Sequence, residues 1–304
     1  MSSSFYSRGK LLLTGEYFVM EGSRALAVPL KVGQHLLVEK NCDLRLEINW
    51  ESYIKDKLWF LATFDLISLN IIDTNDLLIA QYLQKLLIYI KDKSNVLSTN
   101  QGIQIKTQLE FLPDWGLGSS SSLISNLAYW ADINPYKLFF SLFEGSGYDI
   151  ACARSDKAIL YQYQDKPVIN PVKFEPGFLN KIYFVYLDKK QNSLQSVLRN
   201  KEKLKNKKKE AERISQITAQ IIQSKSLSEF ENYIYEHEEI ISKAINESTV
   251  KSKYFSDYKG AVKSLGAWGG DFIMATYEGE PNDVKNYFQR KGMNIIFSYK
   301  ELVL

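Results

Sequence analysis

The stretch that most limits what this chain can fold into is Pro113-Asp114-Trp115-Gly116-Leu117-Gly118, followed at once by Ser119-Ser120-Ser121-Ser122-Leu123. Leu123, Leu127, Trp130 and Ala131 then fall at i, i+4, i+7 and i+8, the spacing of one helix face. Serine is a preferred helix N-cap, and Pro113 with the two glycines keeps the preceding chain out of a helix. The pattern predicts a tight Gly-rich loop opening a helix, preceded by a strand over Gly102–Phe111. Such a place has free backbone N–H groups and the positive end of a helix dipole, which together suit a phosphate. The serine hydroxyls add donors and potential Mg²⁺ ligands. A flexible Ser/Gly linker is the plain alternative, but an apolar helix beginning immediately argues against it. The loop is not a Walker A motif, since no Gly-Lys-Ser/Thr follows.

The 304 residues allow one large domain or two modest ones with a real core. A net charge of +3 excludes a strong nucleic-acid or membrane reading. Cys42 and Cys152 make neither a disulfide framework nor a metal pattern, and His35 and His237 read as surface or strand-end residues. No signal peptide and no apolar run long enough to cross a bilayer is visible, so a cytoplasmic protein is expected.

Along the chain, Lys10–Thr14 reads as a buried strand, Phe18–Met20 as extended, Ala25–Pro29 as an apolar run, Leu36–Glu39 as a strand, and Leu44–Trp50 as an alternating strand. Leu58–Phe64 reads as a strand too. Asn75–Lys91 reads as a helix burying Leu78, Tyr82, Leu86 and Tyr89, widened by Ile79. Helices over Ser122–Ala131 and Pro135–Phe143 follow, the second capped by Asn134. Ala158–Tyr163 and Ile182–Leu187 read as strands. Lys201–Arg213 is a solvated, charged face of a helix whose core side is Ile214, Ile217, Ile221 and Ile222. Leu227–Ile245 is a further helix, and Tyr258–Leu265 is read as another, closed by Gly266. A strand over Phe272–Tyr277, a helix over Pro281–Arg290 and a strand over Met293–Phe297 complete an α+β pattern.

Four segments, in order, carry a resemblance. They are Gly9-Lys10 to Gly15-Glu16-Tyr17, the Gly/Ser loop, Gly145-Ser146-Gly147-Tyr148-Asp149, and Gly266-Ala267-Trp268-Gly269-Gly270-Asp271. Together they resemble the GHMP kinases, the superfamily of galactokinase, homoserine kinase, mevalonate kinase and phosphomevalonate kinase, from Arg8 to Thr276. In motif detail the nearest branch is phosphomevalonate kinase: Gly15-Glu16-Tyr17 stands where mevalonate kinases usually carry Gly-Glu-His. The resemblance implies two α+β subdomains, an N-terminal nucleotide-binding one over 1–165 with a left-handed β-α-β crossover and a C-terminal ferredoxin-like one over 166–304, the active site lying between them.

The resemblance also implies roles. ATP phosphates would lie on Gly116, Leu117, Gly118, Ser119, Ser120, Ser121 and Ser122, with Gly266, Gly269 and Gly270 closing on them. Mg²⁺ would be held by Ser120 and Glu16. Asp149 would accept the proton of the acceptor hydroxyl or orient it, and Lys10 would stabilise charge beside it. Lys189–Ser193 resembles the polar loop near the substrate. The acceptor would be a small mevalonate-like or phosphorylated metabolite on the route to isoprenoids, and the protein a monomer or homodimer. Read singly, Lys10 is a solvated strand end, Glu16 a turn carboxylate, Asp149 a helix N-cap and Asp271 a turn residue. Three departures from the family pattern bear on activity: Arg8 in place of Pro, Ser155-Asp156 in place of Gly-Gly, and Trp268 in place of a small residue, where an indole could fill the cleft or stack on a ligand. A diphosphomevalonate-type decarboxylase and a non-catalytic nucleotide-binding relative share the same pattern.

Overall fold

The computed structural model describes residues 2–41, 45–188, 200, 202–266 and 268–304; Cys42, Leu44, Ala267 and the Lys189–Ser193 loop fall outside them. The chain divides into two compact units. One comprises Met1–Gly9, Val32–Pro113 and Gly118–Arg154, and the other Lys10–Lys31, Asp114–Leu117 and Ser155–Leu304.

Strands β1 (Ser2–Leu12) and β2 (Arg24–Asn41) pair with each other and contribute residues to both units. Where the sequence suggests an apolar run over Ala25–Pro29 and a strand over Leu36–Glu39, one strand runs through Pro29 and Gly33, both poor strand residues. The strand runs through them because Gly33 allows β1 to come close: a Cβ there would sit 2.3 Å from the Ser7 carbonyl oxygen. Between β1 and β2, Phe18–Glu21 is a short 3₁₀ turn, where an extended segment was expected. Phe18 and Val19 are buried in it, and Gly22 ends it in the left-handed region.

In the first unit β3 (Glu47–Ile54), β4 (Lys57–Asp65) and β5 (Ile71–Thr74) form an antiparallel meander, followed by α1 (Leu77–Lys93) and β6 (Gly102–Leu109). The sheet order is β5-β4-β3-β6-β2, with β6 parallel to β3 and antiparallel to β2. Helices α2 (Ser119–Ala131), α3 (Pro135–Leu142) and α4 (Tyr148–Ala153) complete the unit. Trp50, Phe60, Phe64 and Ile105 of the sheet share one core with Leu83, Leu86 and Leu87 of α1 and with Ile124, Leu127 and Ala128 of α2. Helix α1 is rotated from the expected face. It buries Ala80, Leu83, Leu86, Leu87 and Ile90 and leaves Leu78 exposed, since apolar residues on several sides leave its phase undecided by periodicity.

In the second unit, the start of β2 pairs antiparallel with β7 (Ile159–Tyr163), which forms a hairpin with β8 (Pro167–Pro171). Then come β9 (Ile182–Tyr186), α5 (Lys208–Gln223), α6 (Leu227–Ile245), α7 (Val250–Tyr254), β10 (Val262–Ser264), β11 (Phe272–Thr276), α8 (Pro281–Arg290), β12 (Ile296–Ser298) and α9 (Tyr299–Leu302). The sheet order β10-β11-β9-β12 is wholly antiparallel. With the helices between β9 and β10 and between β11 and β12, this is the ferredoxin-like arrangement expected for the C-terminal part. One expectation fails here: Tyr258–Leu265 is not a helix. Its second half is β10, whose three residues are all buried and paired with β11, so tertiary pairing overrides local propensity.

Candidate active site

The Gly-rich loop is held at both ends. Its first part belongs to the second unit, where the Trp115 ring packs 6.0, 5.9 and 5.8 Å from Tyr186, Phe272 and Phe297. The Leu117 carbonyl accepts the Lys10 N–H at 2.9 Å, so the loop lies against the strand that carries Lys10. Lys10 itself is only 9% exposed, which sets aside the solvated strand end. Gly116 has φ +66, and a Cβ on it would meet the Asp271 carboxylate at 2.6 Å. A glycine is therefore required there on two grounds, conformation and space.

In the first unit the loop becomes α2. Its N-cap is Gly118 at φ +95, with no side chain to satisfy the first turn. Ser122 N–H bonds the Gly118 carbonyl, leaving the Ser119, Ser120 and Ser121 amides without intrahelical acceptors. The four serines divide. Ser121 and Ser122 are buried, the Ser121 hydroxyl donating to the Gly118 carbonyl and the Ser122 hydroxyl to Gln34 Oε1 at 2.8 Å. Ser120 is exposed. Asp149 lies in the first turn of α4, half-buried, after Gly147 at φ +78; the N-cap is Gly147, so Asp149 is not the cap. α4 packs on α2. Arg154 at its end donates to the Ser125 hydroxyl and carbonyl, both at 3.0 Å, and lies over the Tyr129 ring at 3.5 Å. The chain thus fixes the helix bearing Asp149 against the helix opened by the serines.

The third glycine segment is the connection between β10 and β11. Gly266 and Gly269 take φ +72 and +74, and Asp271 takes φ +51 while buried. Trp268 neither opens to a ligand nor fills a cleft. It is 6% exposed, packs with Tyr17, Phe18, Ile214, Ile241 and Ile245, and its indole N–H donates to the Ser248 carbonyl at 3.0 Å.

Glu16 departs furthest from its expected role. It is 3% exposed, and Oε1 receives the Lys263 ammonium at 2.6 Å. Two further buried groups surround the pair: Glu238 Oε1 is 3.7 Å from Lys263 Nζ, and His237 Nε2 is 3.6 Å from Glu16 Oε2. Burial raises the Glu16 carboxyl above its ordinary range, with Lys263 opposing. Burial also pushes Glu238 up to about 8, again opposed by Lys263. His237 is held well below the usual imidazole value by burial and by the Lys263 charge. These residues do not fit a protein-held Mg²⁺. An ammonium already neutralises Glu16, a divalent ion beside it would be repelled, and Ser120 is left as a single hydroxyl. Among the described residues no group of three or more His, Cys, Asp or Glu could hold a metal.

Sequence reasoning missed Lys263, Glu238 and His237. Lys263 was hidden in the segment read as a helix, and His237 was assigned to the surface although it is fully buried in α6. The one available signal was a charged residue, Lys263, directly after the apolar pair Ala261-Val262 and three residues before Gly266.

No family model and no curated protein matches the sequence. Solved structures do match in fold. Streptococcus pneumoniae phosphomevalonate kinase in complex with phosphomevalonate and AMPPNP superposes with TM-score 0.72 at 16% identity, over 97% of this chain and 99% of that one. Methanococcus jannaschii mevalonate kinase gives TM-score 0.68 at 18% identity, over 98% and 96%. Lactococcus lactis galactokinase complexed with galactose gives 0.63 at 14%, over 95% and 88%. The chain adopts the GHMP kinase fold.

Proposed function

We propose that the chain is an ATP-dependent kinase of the GHMP type, passing the γ-phosphoryl group to a small anionic metabolite, with mevalonate or phosphomevalonate the leading acceptors. The observation that carries the reading is the start of α2: a glycine N-cap, no capping side chain, and three successive amides free of helical acceptors. That is a place suited to phosphate oxygens. The likeness in fold to a phosphomevalonate kinase bound to AMPPNP supports it.

ATP supplies the phosphoryl group when bound; the protein's part is position and charge. The Ser119–Ser121 amides hold phosphate oxygens. Lys10, kept beside the loop by its backbone bond to Leu117, offsets charge developing at the transferring group. Asp149 takes or orients the proton of the acceptor hydroxyl.

An ADP-release assay over mevalonate, phosphomevalonate and small sugars tests the reading. Turnover with one acceptor supports it. AMPPNP binding without turnover on any of them rejects the kinase assignment, and CO₂ released with ADP points to a decarboxylase. Asp149→Asn is expected to lower kcat by about a hundredfold or more while leaving AMPPNP affinity within about threefold.

A further inference from the structure

Two loops of the second unit, Gly15–Tyr17 and Ser264–Gly269, are joined through buried polar groups rather than directly by backbone pairing. The Gly15 N–H donates to His237 Nε2 at 3.0 Å. This fixes the ring tautomer, since an accepting Nε2 in a neutral imidazole leaves the proton on Nδ1. Nδ1 has no bonding partner and faces Glu238 Oε1 at 4.0 Å. The other Glu238 oxygen accepts the Ser264 N–H at 3.2 Å, and the Ser264 hydroxyl accepts the Gly269 N–H at 3.0 Å. A second line runs in parallel: Glu16 to the Lys263 ammonium, which also donates to the Ser264 carbonyl at 2.8 Å. A third closes the set, with the Trp268 N–H donating to the Tyr17 hydroxyl at 2.9 Å. Glu16 and Tyr17 are thus tied to the β10–β11 connection or to the residues leading into it, and Gly15 is tied to α6 at His237, next to Glu238, which bonds the Ser264 N–H. Tyr17 is held at φ +62, a conformation that an aromatic residue keeps only when its surroundings enforce it.

We infer that Lys263, His237 and Glu238 are positioning residues that hold the Gly15–Tyr17 loop in register with the glycine loop Gly266–Asp271. All three are buried, Lys263 and His237 fully and Glu238 to within 2% exposure. The cation serving Glu16 is the protein's own ammonium. Lys263 joins the loops as well as balancing charge, because it bonds Glu16 on one side and the Ser264 backbone on the other. The effect on turnover rests on the kinase reading; the ordering of the loops does not.

The test uses hydrogen exchange on the ligand-free full chain, followed by kinetics. In Lys263→Met, amides of 13–22 and 264–271 should exchange about tenfold faster or more, while those of α2 keep their wild-type rates. His237→Leu, which leaves the Gly15 N–H without its acceptor, should speed the same two segments; His237→Gln, which keeps an acceptor, should speed them less. The double variant Lys263→Met/Glu16→Gln removes the unpaired buried charge. It should recover the thermal midpoint while leaving loop exchange fast and kcat low. Unchanged loop exchange in both Lys263→Met and His237→Leu would overturn the inference. So would uniform acceleration along the chain, or a double variant that restores loop exchange with the midpoint, since each reduces Lys263 to charge balance or general stability. A wild-type protein that turns over no acceptor would defeat the kinase reading alone, with the exchange results still decisive for the loops.

Discussion

Replacing Glu238 by Gln should remove a pH dependence from folding stability. In the buried cluster one ammonium, Lys263, faces two carboxylates, and it sits closer to Glu16 (2.6 Å) than to Glu238 (3.7 Å). Glu238 is therefore the carboxyl left to take a proton, its value pushed up to about 8 by burial against an ordinary 4.5. A folded-state value above the unfolded one means that the native state holds a proton the unfolded state has lost. Its stabilising effect is complete below the ordinary carboxyl range and is lost as pH rises towards 8. One proton gives a slope of about 1.4 kcal/mol per pH unit, about 2 kcal/mol lost between pH 6 and 7.5; neutral His237, which takes a proton only on unfolding below about 6.5, returns about 1 kcal/mol over the same range, so the net fall should be about 1 kcal/mol. Glutamine has the shape of a protonated glutamate. Glu238→Gln should therefore stay within about 1 kcal/mol of the wild type at pH 6 and should lose the fall with pH, keeping only the shallow rise that neutral His237 gives. Urea denaturation followed by circular dichroism at half-unit steps from pH 5.5 to 8 measures both. A flat wild-type profile, or a variant that keeps the slope and loses about 3 kcal/mol or more at pH 6, would show that Glu238 is ionised in the native state and refute the reasoning.

Gly116→Val should be harmful beyond its φ of +66, because the new Cβ meets the Asp271 carboxylate. A stability loss of about 1–3 kcal/mol and weaker AMPPNP binding are expected by urea denaturation and calorimetry. Trp268→Ala should cost about 3–5 kcal/mol, as for other large-to-small changes in a core. A denaturation midpoint unchanged by that substitution would return Trp268 to a ligand-facing role.

Much of the fold was legible because its signals are local. The ends of α6 and α8 follow from apolar spacing and capping residues: Ser226 accepts the Glu229 N–H, and Pro281 stands at the first helical position. Asn134 opens α3 as expected, its side chain accepting from Tyr136 and Lys137. What failed was decided by distant partners. β10 is three residues long, too short for a period to show, and is a strand only because β11 lies beside it. The continuity of β2 through Gly33 depends on β1, and nothing near Gly33 in the sequence announces that close approach.

The candidate site divides along the same line. The opening of α2 could be read because glycine, serine and the apolar spacing that follows act within one stretch of chain. The role of Glu16 could not, because a carboxylate in a glycine turn looks the same whether it faces a metal ion or a lysine. Its actual counter-charge lies 247 residues away. Burial then settles which cation is compatible. A hydrated divalent ion keeps several waters and needs an open position, whereas an ammonium with three donors can be enclosed once each has an acceptor. Glu16 Oε1 and the Ser264 carbonyl supply two of those acceptors, and the nearer Glu238 oxygen faces the same ammonium at 3.7 Å. The enclosure joins both loops at the expense of a metal ligand: on the proposed kinase reading, a cation brought in with ATP would have to be held by groups other than Glu16.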